Sequence, residues 1–554
     1  MSANQAEQKG LFWTPKGGNN ADTIWASCHV FSSVAENKET GQLEKTSIIV
    51  DMGQNEMPHE FLNGAFQKVV PALDDCLSVP GEKKPENEAQ AIFLTHSHSD
   101  HIAGIFEYLH MGVKLPEIYA SEYTIKSLQK ELLDKGIKRD QWPEMKTVEA
   151  GDKITINDMT VEPFTASHSI PGCFSFKISN GDTSIFHSGD TKADETSFLG
   201  KGVDMSSYDK IGGVELMTFD ATATHMKGHA TYEAEIFESY RQLFEENPDR
   251  QVIAVLPAAH MERLASVISA AAAAGKDVLI NGGASMDSNI LALHLAGYDL
   301  QKKCPNVRVV SANGDKAATI DPDKSVTITT GIYGGGNSPF VQKLKGENND
   351  FVMRDNAVVI TPSIGQGPEQ INGLLEEYAP AGVTVITAAD REIYGSGHAQ
   401  ADDFVKIAEH VHPVTVAPIH CSAKMAESFN VLAKQNGYET LEKRPHNGCT
   451  ISVTKDGCRI VSVREPAWFG LNHEKQNDGS IRTSFSKEPD HGYSKEYDKP
   501  SSVHESFLKA DQKDKNTALQ ERQEKAQKEI KAFHQKKALN KNIALLKQGK
   551  MYDR

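Results

Sequence analysis

Six consecutive residues, His96-Ser97-His98-Ser99-Asp100-His101, carry four side chains able to bind a metal ion. Imidazole and carboxylate are the ligand types that suit zinc. On an extended turn, alternation aims His96 and His98 the same way and leaves Asp100 and His101 to face a second ion. Two metals about 3.5–4 Å apart can clamp a hydroxide and a phosphate between them. A lone His-x-His is usually a histidine-rich surface loop. Here the cluster follows directly on an apolar run, AIFLT (91–95), and Gly104 opens the chain behind it, which favours the metal. Three more strand ends offer ligands: His168 in FTASHSIPG, Asp190 in SIFHSGD and His420 in VTVAPIH. Taken singly, these also read as a satisfied core histidine, a turn former and a core cap. Four strand ends meeting at one edge would make a dinuclear site.

The elements that must position these residues are legible as hydrophobic patterns. TIWASCHVF and TSIIVDMG, within 23–53, read as strands around a polar turn. Over 59–76, Leu62, Phe66, Val69, Val70 and Leu73 fall on one helical face. Strand and turn alternate over 150–190. From about 235 the rhythm becomes βαβ: VIAVLP (252–257), a helix over 263–275, DVLINGG (277–283), a helix over 288–297, TITTG (327–331) and AVVITPS (357–363). That pattern predicts a parallel sheet and a separate unit. After about 376, VTVITA, a helix over 402–411, VTVAPIH and a hairpin near 449–463 resume the first style, so the second unit reads as inserted within the first. Beyond 465 the chain is charged and poor in apolar residues, which predicts loose attachment or disorder, with helix favoured over 516–547.

Composition bounds the rest. The 554 residues are 39% hydrophobic and 24% charged, enough to bury a core without disulfides. Seven scattered cysteines with no CxxC pair fit a reducing compartment. The N-terminal stretch has no apolar signal core and no apolar run reaches membrane-spanning length; a cytoplasmic location is the expectation. Net charge is −16, yet Lys515 to Arg554 holds 11 Lys/Arg against 4 Asp/Glu, a net of +7 that leaves −23 on the remainder. The basic segment reads first as a solvated helix or coiled-coil partner and second as a contact for RNA phosphates; its partner is unknown.

HSHSDH, ASHSIPG, FHSGDTKAD, SGHAQADD and VAPIH, in this order, resemble the β-CASP metallo-β-lactamase nucleases, with ribonuclease J the nearest subgroup. The resemblance covers about residues 24–465. It implies an α/β fold: a metallo-β-lactamase αββα sandwich with an inserted β-CASP parallel α/β domain and a charged, partly helical C-terminal tail. The implied division is 1–238 for the first part of the metallo-β-lactamase domain, 239–375 for the insertion, 376–465 for the second part and 466–554 for the tail. GGASMDSN, TTGIYGGGNSP and SIGQGPEQ match stretches typical of ribonuclease J, with divergence. By the resemblance, His96, His98 and His168 would hold one zinc; Asp100, His101 and His420 the other; and Asp190 would bridge, with Mn²⁺ or Mg²⁺ as alternatives. Asp220 in TFDAT and His398 in SGHA match the acidic and following β-CASP motifs. Histidine at position 420 goes with RNA-processing members. The chain departs from the subgroup at Tyr394, at Gly283-Ala284-Ser285-Met286, at Cys421-Ser422 and in Asp220-Ala221-Thr222. The metal ligands are kept; positions that would touch substrate are not.

The expected reaction is zinc-dependent hydrolysis of RNA phosphodiester bonds, by endonuclease action, 5′-to-3′ exonuclease action or both. His398 would protonate the leaving oxygen and Asp220 would orient it; a structural Asp–His bond is the plainer reading of that pair. Asp51 and Asp194 are candidates to orient ligand imidazoles. Ser396, Gly397 and Ala399, and Gly331 to Gly336, could present backbone N–H groups to a phosphate. A homodimer or homotetramer is implied by resemblance, and no membrane partner. Two other readings stay open: a hydrolase of the same fold acting on a small ester or thioester, and a non-catalytic RNA-processing scaffold.

Overall fold

The computed structural model describes residues 9–489 apart from 21–22, 38–39, 56–64, 201, 315, 333–336, 348–350, 363–366 and 477–480. Two sheets lie face to face. The first has eight strands in the order Gly457–Val463, Cys449–Thr454, Gly10–Gly17, Cys28–Glu36, Leu43–Val50, Ala91–Phe93, Glu117–Ala120 and Met145–Thr147. The second has seven: Glu439–Thr440, Pro413–Ile419, Val214–Asp220, Ser184–His187, Cys173–Ser179, Met159–Ala166 and Ile154–Ile156. Trp13, Phe31, Ile48, Val50 and Phe93 from the first sheet pack against Val161, Phe174, Phe176, Ile178, Leu216 and Ile419 from the second. Alternation drives this layering. In Met159–Ala166, Met159, Val161, Pro163 and Ala166 are buried while Thr160, Glu162, Phe164 and Thr165 are partly exposed. Helices cover both outer faces. Ser99–His110 and Glu122–Asp134 lie over the first sheet, and Ala401–Val411 and Ala423–Gln435 over the second.

A third sheet of six strands, all parallel, runs Val309–Ser311, Asp277–Asn281, Ser325–Thr330, Val252–Leu256, Val358–Thr361, Thr384–Thr387. The chain leaves the second sheet after Val214–Asp220 and re-enters it at Pro413–Ile419, the parallel neighbour of that strand. The insertion read from the βαβ rhythm is therefore present as a separate sheet. Its far limit is not 375: Thr384–Thr387 pairs with Val358–Thr361 and belongs to the third sheet. VTVITA looks alike in either unit, because a short β-branched run does not reveal its partner.

Two other expectations are corrected. Lys68–Pro71 is a strand, not the end of a helix, and pairs antiparallel with Trp468–Leu471. Residues 467–489 are not a loose tail: Ala467–Lys475 and Ile481–Pro489 form an antiparallel hairpin, with Trp468, Phe469 and Leu471 fully buried. The partner strand is about 400 residues away, beyond the reach of local pattern. The helix expected over 516–547 lies outside the described residues. All seven cysteines are free. Among the described residues, no helix is long and apolar enough to cross a membrane.

One buried carboxylate on the third unit strains the fold as pH rises. Glu262, 5% exposed, accepts from Ser197 Oγ and Phe198 N. Burial outweighs these bonds and lifts its pKa from 4.5 to about 7. Because the folded state holds this proton more tightly than the unfolded chain, stability falls as pH climbs from about 4.5 to about 7. Glu262→Gln removes that penalty. Its stability relative to wild type should grow between pH 5 and pH 8 by up to about 3 kcal/mol, read by urea melts at each pH. A difference that stayed flat across this range would refute the assignment.

Candidate metal centre

The apolar strand Ala91–Phe93 ends at Thr95, and the helix Ser99–His110 begins with His98 as its N-cap. This turn brings His96 and His98 together, with His96 Nε2 and His98 Nδ1 3.0 Å apart. Asp100 and His101 sit in the first helical turn. Gly104 allows it to seat: a Cβ there would lie 2.7 Å from the carbonyl oxygens of Met52 and Gly53. His168 follows Met159–Ala166, Asp190 follows Ser184–His187, Asp220 ends Val214–Asp220 and His420 follows Pro413–Ile419. The strand ends do converge.

Asp190 Oδ2 is the centre. It lies 3.3 Å from His101 Nε2, 3.7 Å from His420 Nε2, 3.8 Å from His168 Nε2, 3.9 Å from His96 Nε2 and 3.7 Å from His398 Nδ1. His168 Nε2 is 3.2 Å from His98 Nδ1, and His420 Nε2 is 3.0 Å from Asp100 Oδ2. Donor atoms close enough to share an ion fall into His96/His98/His168, His96/His101/Asp190, Asp100/His101/His420 and Asp190/Asp220/His398/His420. Every ligand proposed from sequence is in one of these sets.

Outer hydrogen bonds fix which imidazole nitrogen faces inward. His101 Nδ1 donates to Asp51 Oδ2 (2.8 Å), His168 Nδ1 to the Gly397 carbonyl (2.8 Å) and His420 Nδ1 to Thr222 Oγ1 (2.7 Å). Thr95 Oγ1 donates to Asp51 Oδ2 (2.7 Å) and takes a bond from His96 Nδ1 (3.0 Å). The Nε2 lone pairs of all four histidines therefore point into the cluster. His101 Nε2 and Asp190 Oδ1 are buried without a hydrogen-bond partner. Orphaned lone pairs, hard and borderline donors together, fit a divalent cation.

Electrostatics divide the cluster: burial alone would lower His101, but Asp190, Asp100 and Asp51 outweigh it and raise the ring well above the usual imidazole value, as befits a ring facing three carboxylates. Burial pushes His96 and His168 well below the usual imidazole value, and His98 down to about 4, so these rings stay neutral. His398 differs. Burial alone would lower it, but Asp220, bonded to its Nδ1 at 2.8 Å, raises it to about 9. Its ring stacks on His420 at 5.2 Å, and its Nε2, opposite the Asp220 bond, has no hydrogen bond among the described residues.

Other expectations fare unevenly. Asp51 orients His101; Asp194 does not touch a ligand but accepts from the backbone of Thr196 and Glu233. The Ala399 amide donates to Thr191 O and the His398 amide to Ser396 Oγ, so neither is available to a phosphate. At Gly397 a Cβ would meet His168 Cε1 at 2.7 Å, so the close approach of this ring needs glycine. Of Gly331 to Gly336, only Gly331 is described among the glycines, and the others lie outside the described residues. His225 and His229 are exposed. Sequence reading missed Thr95 and Thr222, whose only signal is that each adjoins a motif. It also missed Arg263, which is fully buried. Arg263 pairs with Glu233 through two 3.0 Å bonds and donates to the carbonyls of Ile393 (3.3 Å) and Gly395 (3.2 Å), pinning the loop that leads to His398.

Residues 69–247 match the Beta-lactamase superfamily domain. Ribonuclease J of Mycolicibacterium smegmatis is 27% identical over 355 residues, 63% of this chain and 62% of that protein. Ribonuclease J of Thermus thermophilus is 24% identical, covering 76% of each chain, and ribonuclease J2 of Bacillus subtilis is 25% identical, covering 73% and 70%. The crystal structure of a protein of unknown function from Enterococcus faecalis V583 shares the fold with a TM-score of 0.56 at 19% identity, covering 80% of this chain and all of that one. The matched region thus spans about three-fifths of the first relative's length. The chain is thus similar to ribonuclease J proteins and carries a match to the Beta-lactamase superfamily domain, and its His/Asp clusters are groups that could hold divalent cations.

Asp51 has φ +61°, a left-handed backbone that Asn tolerates as readily as Asp. Asp51→Asn should therefore fold but lose the charged partner of His101. Metal affinity should fall about 10–100-fold, measured by competition with a chromophoric chelator. Unchanged affinity would remove Asp51 from the supporting shell.

Proposed function

We propose that this protein is a two-zinc ribonuclease that hydrolyses RNA phosphodiester bonds in RNA processing or decay in the cytoplasm. In this reading, the third sheet is the β-CASP domain. The observation that carries it is the His398–Asp220 pair set beside the metal cluster, 3.7 Å from Asp190. A metal centre alone would serve many hydrolases. An imidazole held charged at its edge adds a proton donor for a leaving alkoxide.

His96, His98 and His168 would hold one cation and Asp100, His101 and His420 the other, with Asp190 shared. When bound, such a pair supplies Lewis acidity toward a phosphoryl oxygen and lowers the pKa of water near 7. The protein's own residues do the rest. Asp51, Thr95, Thr222 and the Gly397 carbonyl lock the imidazoles in the orientation that binding needs. Asp220 holds the Nδ1 proton of His398 and keeps the ring charged, so that Nε2 can give its proton to the departing 3′-oxygen. Ser396 accepts from the His398 amide and fixes the loop behind it. Relatives named ribonuclease J support RNA as the substrate.

Purified protein with zinc or manganese should cleave single-stranded RNA in a panel of 5′-monophosphate, 5′-triphosphate and circular substrates, with single-stranded DNA as the comparison. Cutting of circular RNA identifies endonuclease action, and 5′-monophosphate dependence identifies 5′-to-3′ exonuclease action. No cleavage of any RNA at full metal content would reject the reading, and turnover of a thioester in its place would favour a small-ester hydrolase. His398→Ala should retain its metal and slow cleavage by about 10²–10⁴. An unchanged rate would take the proton-donor role from His398.

A further inference from the structure

The helix that opens with the metal motif closes with a second convergence of ligand-type side chains. Glu107 and His110 lie in the last turns of Ser99–His110, and His473 comes from the hairpin strand Ala467–Lys475. His473 Nε2 is 2.7 Å from Glu107 Oε2, and His110 Nδ1 is 3.9 Å from the same oxygen. The two imidazole rings stand 5.0 Å apart at 65°. The donor atoms of all three residues lie within 4.8 Å of one another. This group is separate from the cluster centred on Asp190 and shares no residue with it.

An ordinary Glu–His ion pair does not account for the arrangement. One imidazole satisfies Glu107 Oε2, yet a second points at it, and His110 Nδ1 is buried with no hydrogen-bond partner. Two further atoms of the group, His473 Nδ1 and Glu107 Oε1, are committed outward. His473 Nδ1 bonds Thr483 Oγ1 at 2.9 Å, which orients the ring so that Nε2 faces Glu107. With its amide turned to satisfy both neighbours, Gln54 donates to Glu107 Oε1 (3.2 Å) and accepts from Lys68 Nζ (3.2 Å). Glu107 itself is 2% exposed. Two metal–ligand bonds of about 2.1 Å span at most about 4.2 Å, and both measured separations from Oε2 fall inside that limit. The negative end of the helix dipole lies at the same place and favours a cation.

We propose that Glu107, His110 and His473 form an additional divalent-cation site, matched to zinc. The ion clamps the hairpin Ala467–Pro489 onto the C-terminal turn of the motif helix. Two imidazoles and one carboxylate are a zinc ligand set, with a water completing the coordination. Each orienting partner named above then serves as outer support of the kind that metal-bound imidazoles and carboxylates have.

The test uses the full chain, stripped with a chelator, dialysed against Zn²⁺ and assayed for zinc per chain by plasma mass spectrometry. His110→Gln and His473→Gln should each hold about one ion fewer than wild type, with unchanged circular dichroism. Equal zinc in wild type and both folded variants would overturn the proposal. Should a variant fail to fold, a zinc-edge anomalous map of the wild-type protein decides. A peak among His110 Nδ1, His473 Nε2 and Glu107 Oε2 supports the site, and no peak there overturns it, whatever the occupancy of the cluster around Asp190. Zinc found here but not at Asp190 would refute the nuclease centre and leave this site standing.

Discussion

Five imidazole nitrogens gathered within 3.9 Å of one carboxylate oxygen, Asp190 Oδ2, set the terms for the whole fold. The groups there, His96, His101, His168, Asp190, Asp220 and His420, are all buried. Burying such groups is costly unless each is paired or coordinates a metal. Two packed sheets answer the geometric half of the problem. Their strands end along one edge, so single residues from five distant stretches reach a common point without any of them leaving regular structure for more than a few positions. The outer hydrogen bonds answer the other half by occupying every nitrogen that must not face inward.

The backbone shows where this convergence is forced. Among the described residues, five non-glycine residues have positive φ, and two of them, Asp51 at +61° and His420 at +49°, belong to the cluster or support it directly. Such conformations cost on the order of 1–3 kcal/mol and persist where surrounding structure over-determines them. At His420 the compensation is visible: Thr222 Oγ1 receives the ring nitrogen and donates to the backbone carbonyl of the same residue. Asp51 accepts from both the amide and the hydroxyl of Thr95. The strained residues are held by the threonines that also orient the ligands, so position and orientation are enforced together.

How much of this the sequence disclosed follows from how locally each feature is encoded. HSHSDH is a six-residue signal at a strand end, and His168, Asp190 and His420 each end an apolar run, so the members of the candidate cluster were legible. Asp51 was legible for the same reason, as a carboxylate after TSIIV. Thr95 and Thr222 were not, because a threonine beside a motif looks like any strand residue until its hydroxyl is seen between two partners. Long-range pairing was the least visible. Val69 and Val70 fit a helical face as well as a strand, and only contact with Phe469 and Gly470 decides between them. The hairpin Ala467–Lys475/Ile481–Pro489 was hidden by composition: its exposed face carries Lys, Glu, Arg and Ser, and a few apolar residues, chiefly Trp468, Phe469 and Leu471, anchor it.

The inserted unit has a part in the centre beyond covering it. Arg263, on the helix Met261–Ala273 that packs on the third sheet, is buried with Glu233 and reaches the carbonyls of Ile393 and Gly395. Two residues beyond Gly395, the Gly397 carbonyl takes His168 Nδ1, and His398 follows with its bond to Asp220. A buried, doubly bonded Arg–Glu pair is costly to break from one side, because the remaining charge is left without a partner. That makes it a stiff anchor. The loop carrying His398 is thus tied at one end to the inserted unit and at the other to a metal ligand and the second sheet. A roof that only shielded a small substrate would need no such tie. In the proposed reaction this tie would fix His398 above the cluster, where the leaving group of a long, externally held chain would be met.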